Sequence, residues 1–309
     1  MADISRSEVS TLIQEAYSDT LLDSAVESST VLMAFAGQTV SMGTKTTHLP
    51  VLATLPEAAW VSESATADEG AKPTSQITWA DRTLVAEEIA VIIPVHENVI
   101  DDATVAVLTE IAKRGGQAIG KKLDQAVLFG IDKPASWVSP ALLPAAISAG
   151  QTVENVLGNA NSNDLVGAAN QVAAEIALAG HTPDTMLASL ALRYRINNLR
   201  DANGLPIFRD ESFNGFSTFF NKNAAWDPEA ADMIIVDSSR VRIGIRQDIT
   251  VKFLDQATLG KGDNAVNLAE RDMVALRLKA RYAYVLGTGA TAMGANKVPV
   301  GAVVPADGS

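Results

Sequence analysis

Apolar and polar positions between residues 49 and 129 follow a pattern that predicts a long hairpin and, after it, one very long helix. Alternation over residues 83–90, and more loosely over residues 76–81, predicts two extended arms around a turn-rich tip at residues 64–75. A two-stranded hairpin with few apolar side chains near its tip cannot bury a core of its own. We therefore expect the hairpin to lie on another copy of the chain, which indicates an assembly protein rather than a self-contained enzyme.

Apolar residues recur at helical spacing over residues 103–129, which predicts a helix that Gly130 ends. At about 1.5 Å per residue, this helix would be roughly 40 Å long. Gly115 and Gly116 lie near its middle and together cost about 2 kcal/mol relative to alanine. The pair indicates either close packing of backbones or a bend, and we favour a bend that acts as a hinge.

The rest of the chain predicts a mixed α+β fold. Ser5 and Glu8 form a capping box at the start of an amphipathic N-terminal arm. The residues after 286 are small and rich in glycine, and we expect them to be loosely held. The other predicted elements are a strand near 46–52, a loop over 132–144, helices over 164–179 and 190–200, strands over 183–187, 233–236, 240–245 and 250–254, and a long strand region over 267–286.

Composition narrows the class of protein. The 309 residues are 47% apolar, which excludes disorder throughout, and they include no cysteine, which excludes disulfides and thiolate metal sites. No apolar run reaches the roughly 20 residues of a membrane span, and the N-terminus does not read as a signal peptide. The net charge of −12 indicates either simple solubility or a surface that lies near nucleic acid without adhering to it.

The sequence predicts no catalytic, cofactor-binding or metal site. Its three histidines, His48, His96 and His181, have no second histidine within helical or hairpin reach. His96 and Glu97 begin like a zinc-protease motif, but Ile100 stands where the second histidine is required. A Walker loop and a Gly-x-Ser-x-Gly elbow are also absent from the sequence.

Two groups of charged residues lie on predicted strands. Glu87 and Glu88 are adjacent, so they point to opposite faces and do not form an acid–base pair. Arg277, Lys279 and Arg281 alternate and therefore share one face. That basic face either meets acidic residues of a neighbouring subunit or is simply solvated, and both interpretations stay open.

The order and spacing of several segments resemble the major capsid proteins of tailed double-stranded DNA phages, the family with the HK97 fold. The resemblance covers most of the chain. The segments that carry it are WVSE (60–63), IPVHENVIDD (93–102), LFGIDKP (128–134), MLASLALRYRINNLRDANGLPIF (186–208), IIVDSSRVRIGIRQDITVKF (234–253) and NLAERDMVALRLKARYAYVL (267–286).

This resemblance implies an α+β HK97-like capsid fold. The implied parts are an N-terminal arm (1–44), an extended hairpin called the E-loop (45–92), a peripheral domain with a long spine helix (93–140), an axial domain (141–248), and return strands with the C-terminal tail in the peripheral domain (249–309).

The resemblance also implies a function in the virion. Copies would form pentamers and hexamers of an icosahedral shell that is assembled in the host cytoplasm and encloses double-stranded DNA without sequence-specific binding. The chain starts almost directly at the arm helix, and the resemblance then implies a separate scaffold protein. It also implies a portal. Without cross-links, the shell would be held together by interlocked arms and loops or by a decoration protein. The residues expected at contacts between subunits are Trp60, Glu63, Lys72 and Trp79 in the hairpin and Arg277, Lys279 and Arg281 in the late strand.

Some alternatives stay open at this point. Relatives cross-link a hairpin lysine to an asparagine, but we interpret Lys72 as an ordinary exposed lysine, because neither Asn267 nor Asn296 aligns clearly as its partner. An encapsulin-like nanocompartment shell would have the same fold. From other classes, a tail-tube protein or a hydrolase that uses His96 and nearby carboxylates is the alternative.

Overall fold

A computed structural model of the chain describes residues 29–58, 60, 74–101, 107–155, 164–199, 203–205, 213–260, 265–294 and 297–305. The predicted arm helix and most of the hairpin tip, with Glu63 and Lys72, lie outside these residues. The described helices are α1 (Thr30–Ala34), α2 (Glu97–Asp101), α3 (Val107–Asp124), α4 (Leu142–Ala149), α5 (Asp164–Leu178) and α6 (Leu190–Asn197).

The described strands form two main sheets and two short ribbons. The strands are β1 (Thr39–Ser41), β2 (Thr46–Thr54), β3 (Thr78–Val85), β4 (Glu87–His96), β5 (Thr152–Asn155), β6 (Thr185–Ser189), β7 (Ser217–Asn221), β8 (Met233–Val236), β9 (Val241–Leu254), β10 (Thr258–Leu259), β11 (Val266–Asn267), β12 (Met273–Leu286) and β13 (Val300–Pro305). The four-stranded sheet has the order β1-β9-β12-β4, and the five-stranded sheet has the order β5-β13-β8-β6-β7. β2 pairs with β3, and β10 pairs with β11.

Helix α3 packs on one face of the four-stranded sheet. Leu278 of β12 belongs to the main core together with Ile119 and Leu123 of α3. A Cβ atom added at Gly115 would lie 2.8 Å from Leu278 Cδ2, so this glycine allows the helix and the strand to approach closely. Close packing is therefore present at Gly115, whereas the hinge at Gly115 and Gly116 stays a prediction.

This helix ends at the predicted position, but its last residues are not α-helical. The α-helical turns stop at Asp124, and residues 125–129 form a π-helix (Gln125–Phe129). Gly130 then takes a left-handed conformation with φ +77°, which confirms it as the stop.

The hairpin is shorter than the pattern predicted. β3 ends at Val85, and after Ala86 the chain enters β4, which pairs with β12 from Glu87↔Tyr282 to His96↔Met273. Residues 87–92 therefore belong to the four-stranded sheet and not to the hairpin, to which residues 45–92 were assigned. Alternation continues across this break, so it did not reveal the change of partner strand.

The C-terminal tail is not loosely held at residues 300–305, and that expectation was wrong. β13 pairs in parallel with β5 and antiparallel with β8, and Val300, Ala302 and Val303 are fully buried. A Cβ atom at Gly301 would lie 2.6 Å from Val172 Cγ1, so the small residue allows α5 to pack closely on the sheet. These residues therefore lie in the sheet of the predicted axial region, although the segment 249–309 was assigned to the peripheral domain.

Three further predictions needed correction. The expected loop over residues 132–144 contains the start of α4, because Pro144 lies in the first helical turn, where proline is tolerated. The two strands expected over residues 240–245 and 250–254 are the single strand β9, which begins ahead of the assigned domain boundary at residue 248. The long strand region expected from residue 267 begins only at Met273.

Asp124 joins three parts of the chain at the end of α3. Its carboxylate accepts hydrogen bonds from Ser29 Oγ at 2.6 Å and from the backbone N–H groups of Thr30 at 2.9 Å and Val31 at 3.1 Å. It also accepts hydrogen bonds from two asparagine amides at the end of β7, Asn221 at 3.2 Å and Asn223 at 2.9 Å. Burial raises the pKa of Asp124, and these hydrogen bonds oppose that shift. The point where the chain emerges from residues 1–28 is thereby fixed to both sheets.

Candidate inter-subunit surfaces

The hairpin β2-β3 is anchored to its own subunit through one face. Arg82 Nη2 donates hydrogen bonds to the Oγ1 and carbonyl oxygens of Thr288 at 2.7 and 3.1 Å. The backbone N–H of Ala290 donates to the carbonyl of Leu52 at 2.9 Å, and Leu84 is fully buried. These contacts hold one face of the hairpin base against its own subunit. The opposite face of the hairpin, which we call its open face, is exposed to solvent.

The open face of the hairpin carries large apolar side chains. Trp79 pairs across the hairpin with Leu52 and is 63% exposed, and Trp60 beyond β2 is fully exposed. His48 and Asp81 form an exposed cross-strand hydrogen bond on the same face as Trp79. Two indoles that are open to water are unusual for a subunit that works alone.

The three basic residues of β12 share the sheet face that is turned away from α3, as the alternation predicted. Lys279 Nζ lies 3.8 Å and Arg281 Nε lies 3.9 Å from Glu88 Oε2 on the neighbouring strand β4. Glu87 points to the other face, where it lies 3.7 Å from Lys45 Nζ. The prediction that the two glutamates face opposite ways is therefore confirmed.

Arg277, on this face, has no acidic partner in the described part of the chain. Its Nε is buried without a hydrogen bond there. Its cross-strand neighbours are Lys252 on β9 and the exposed Ile92 on β4. We call Arg277, Lys279, Arg281 and Lys252 the basic strip. A half-buried guanidinium beside another cation favours an acidic group that comes from outside the subunit.

Of the residues behind the hydrolase alternative, the structure describes the side chains of His96 and Glu97. His96 is exposed at the end of β4, and Glu97 begins α2 beside it. Among the described residues, no three histidine, aspartate or glutamate side chains are grouped as metal ligands. His181 is buried, with Nδ1 3.8 Å from Asp237 Oδ2, and burial lowers its pKa. None of the helices in the described ranges is long and apolar enough to cross a membrane.

The sequence analysis identified Trp60 and Trp79 in the hairpin as candidates for contacts between subunits. It also identified three members of the basic strip, Arg277, Lys279 and Arg281. It missed Lys252, because only the register between β9 and β12 brings that lysine beside Arg277. It also missed Ile77, which is exposed next to the start of β3 and extends the apolar surface around Trp79.

Comparison with solved structures begins with a distant match. A chain from the structure titled "Capsid of native GTA particle computed with C5 symmetry" superposes with a TM-score of 0.58 at 14% identity, covering 89% of this chain and 90% of that chain. At this level of identity the likeness shows a shared fold alone. The α+β HK97-like architecture is confirmed by the family match and the more similar structures that follow.

Residues 10–288 match the family model described as the phage capsid family. A solved structure from Mycobacterium phage Adephagia is 71% identical, with a TM-score of 0.84, and the match covers 100% of both chains. A structure from Microbacterium phage Oxtober96 is 38% identical, with a TM-score of 0.79, over 90% of this chain and 91% of that chain. No curated protein matches the chain.

The chain therefore belongs to the phage capsid family. It is a structural protein of a bacteriophage capsid shell, and it is located in the virion. The nanocompartment, tail-tube and hydrolase alternatives are not favoured by this membership.

Proposed function

We propose that copies of this chain assemble as pentamers and hexamers into an icosahedral shell around double-stranded DNA. The shell forms in the host cytoplasm on a separate scaffold protein and around a portal, and it is held together by interlocked arms and loops or by a decoration protein. The subunit catalyses no reaction. The net charge of −12 supports a shell that encloses DNA without binding it tightly, since an acidic surface repels phosphate.

The main support for this proposal is the exposed apolar surface of the hairpin. Trp79 and Trp60 expose apolar surface that the described part of their own subunit leaves uncovered. Burying each indole against a neighbouring copy stabilises the contact by about 3 kcal/mol. Every subunit repeats the contact around a closed shell, so modest individual contacts add up to a stable particle.

Charge complementarity supports a partner surface for the hairpin. Residues 61–73, which we call the acidic tip, contain the acids Glu63, Asp68 and Glu69 and one base, Lys72. The basic strip carries four cations, and among the described residues Glu88 is the acid that lies within 4 Å of two of them. We propose that the acidic tip of one copy lies on the basic strip of the next, where Arg277 gains the acceptor that its own described surroundings lack.

The test is shell formation by variants of the hairpin. Trp60→Ala, Trp79→Ala and a deletion of residues 65–72 should each abolish closed shells in negative-stain electron microscopy while the soluble subunit keeps its circular dichroism spectrum. Val138→Ala is a matched control, because Val138 is an equally open apolar side chain outside the hairpin. Closed shells at normal yield from all three hairpin variants would refute the proposed role.

A charge reversal tests the partner surface separately. Arg277→Glu should block closure, because it places an acid opposite the acidic tip. Arg114→Glu is the control, since Arg114 lies exposed on α3 and pairs only with Glu110 and Gln117 nearby in the described part of the chain. If the two variants form closed shells in equal yield, the basic strip is exposed to solvent and is not a contact between subunits.

A further inference from the structure

An open pocket of about 550 Å³ lies away from both surfaces, where two helices end side by side. Its described walls come from the end of α4 at Ser148 and Ala149, from Glu175 and Leu178 near the end of α5, and from Lys297. None of these residues belongs to the hairpin or to the basic strip.

Glu175 gives the pocket an unpaired acid. Its Oε2 atom is shielded from solvent and has no hydrogen-bond partner among the described residues. Burial raises the pKa of the Glu175 carboxyl, because the charged form loses hydration. Leaving a shielded oxygen unpaired costs free energy in the isolated subunit, so this residue is poorly explained by folding alone.

The ends of the two helices add to the negative potential of the pocket. α4 ends before Gly150 at φ +69°, and α5 ends two residues before Gly180 at φ +84°. The carbonyl end of a helix carries a partial negative charge that attracts cations. Lys297 also lines the pocket, but no ion pair within 4.0 Å joins it to Glu175.

The pocket has an exposed apolar side chain near its acid. Leu178, which lines the pocket one helical turn after Glu175, is 72% exposed. A long basic side chain combines an apolar stem with a charged head, and it therefore matches a leucine beside a carboxylate.

We propose that this pocket receives an arginine or lysine side chain from a neighbouring copy, whose charged head pairs with Glu175 while its stem packs on Leu178. The inference rests on the proposed assembly of identical subunits. A second copy is the occupant because the same chain offers an exposed cation outside the basic strip, Lys222, that forms no ion pair within the described residues. The pocket would then be a second contact, separate from the hairpin.

Glu175→Gln tests the pocket, because it removes the charge and keeps the shape of the side chain. The unassembled variant should melt at the same temperature as the wild type or higher, since its shielded oxygen no longer carries charge. Shell formation should require about tenfold more subunit, because a charge-paired contact is lost at each interface. Glu154→Gln on β5 is the control, and it should change neither value, because Glu154 is exposed to solvent.

Three outcomes would overturn the proposal. One is assembly of Glu175→Gln at the wild-type concentration. Another is a large drop in the melting temperature of its unassembled subunit, which would assign Glu175 to folding. The third concerns the double variant of Glu175→Gln and Lys297→Met. If its change in melting temperature, measured on the unassembled subunit, is not the sum of the two single changes, Lys297 is the partner of Glu175. Failure of the wild type to form shells would instead refute the proposed function itself.

Discussion

Replacing Asp124 with alanine should strongly destabilise the subunit. The substitution removes the acceptor of five hydrogen bonds, from Ser29, Thr30, Val31, Asn221 and Asn223. Each hydrogen bond to a charged group contributes about 1.5–3 kcal/mol, but bonds that share one acceptor are not additive. Removing one side of a buried charged network typically costs about 3–5 kcal/mol, so we expect a loss of about 4 kcal/mol.

Urea unfolding of the unassembled subunit, followed by tryptophan fluorescence, measures this loss. Glu110→Ala is the control, because Glu110 is exposed on α3 and its partner in the described part of the chain is Arg114. An exposed ion pair contributes about 1 kcal/mol or less. If Asp124→Ala loses no more stability than Glu110→Ala, Asp124 does not join the arm base to the two sheets, and the reasoning fails.

Three further outcomes follow from the packing and the charges. Gly301→Val should lower the free energy of unfolding by about 3 kcal/mol in urea titrations, because its side chain overlaps Val172, whereas an unchanged midpoint would contradict the close packing of α5 on β13. The stability advantage of Glu175→Gln over the wild type should shrink as pH falls toward about 4.3, the ordinary glutamate pKa, and should be absent below it. Because the pKa of Glu175 is raised in the folded state, the wild type loses stability as pH rises above that value, whereas the neutral glutamine variant does not. An equal advantage at pH 3 and pH 7 would contradict this. If Gly115 and Gly116 form a hinge, helix α3 should curve differently in pentamer and hexamer copies of one shell reconstruction, and identical helices would remove the hinge.

Local signals predicted much of the fold. Gly130 and Gly180 were identified as helix ends from residue type and position, and both adopt positive φ angles. β8 was predicted with its observed bounds, because Met233–Val236 is a short apolar run between polar residues. These elements depend on neighbours within a few positions along the chain.

Features that depend on distant partners could not be predicted. The five donors around Asp124 lie 93 to 99 positions away from it, so no local pattern indicates that this aspartate is buried. The glycine-rich composition around Gly301 indicated a loose tail, but the burial of β13 depends on β5, β8 and Val172. In both cases tertiary packing overrides the local signal.

The candidate contact surfaces divide in the same way. Alternation was enough to place Arg277, Lys279 and Arg281 on one face, since side-chain direction in a strand has a period of two. The pairing of Lys279 and Arg281 with Glu88 depends on the register of β12 against β4, which the sequence does not encode locally. This pairing leaves Arg277 without an acidic partner in the described part of the chain, and we expect an acid from a neighbouring copy to pair with it.

The most direct test of the assembly is an electron cryo-microscopy reconstruction of shells formed by this chain. We predict that the hairpin of each copy crosses its neighbour, with both Trp60 and Trp79 buried in the contact. The acidic tip should lie within hydrogen-bonding distance of the neighbour's Arg277. A shell in which the hairpin packs on its own subunit, with Arg277 open to solvent, would contradict the account.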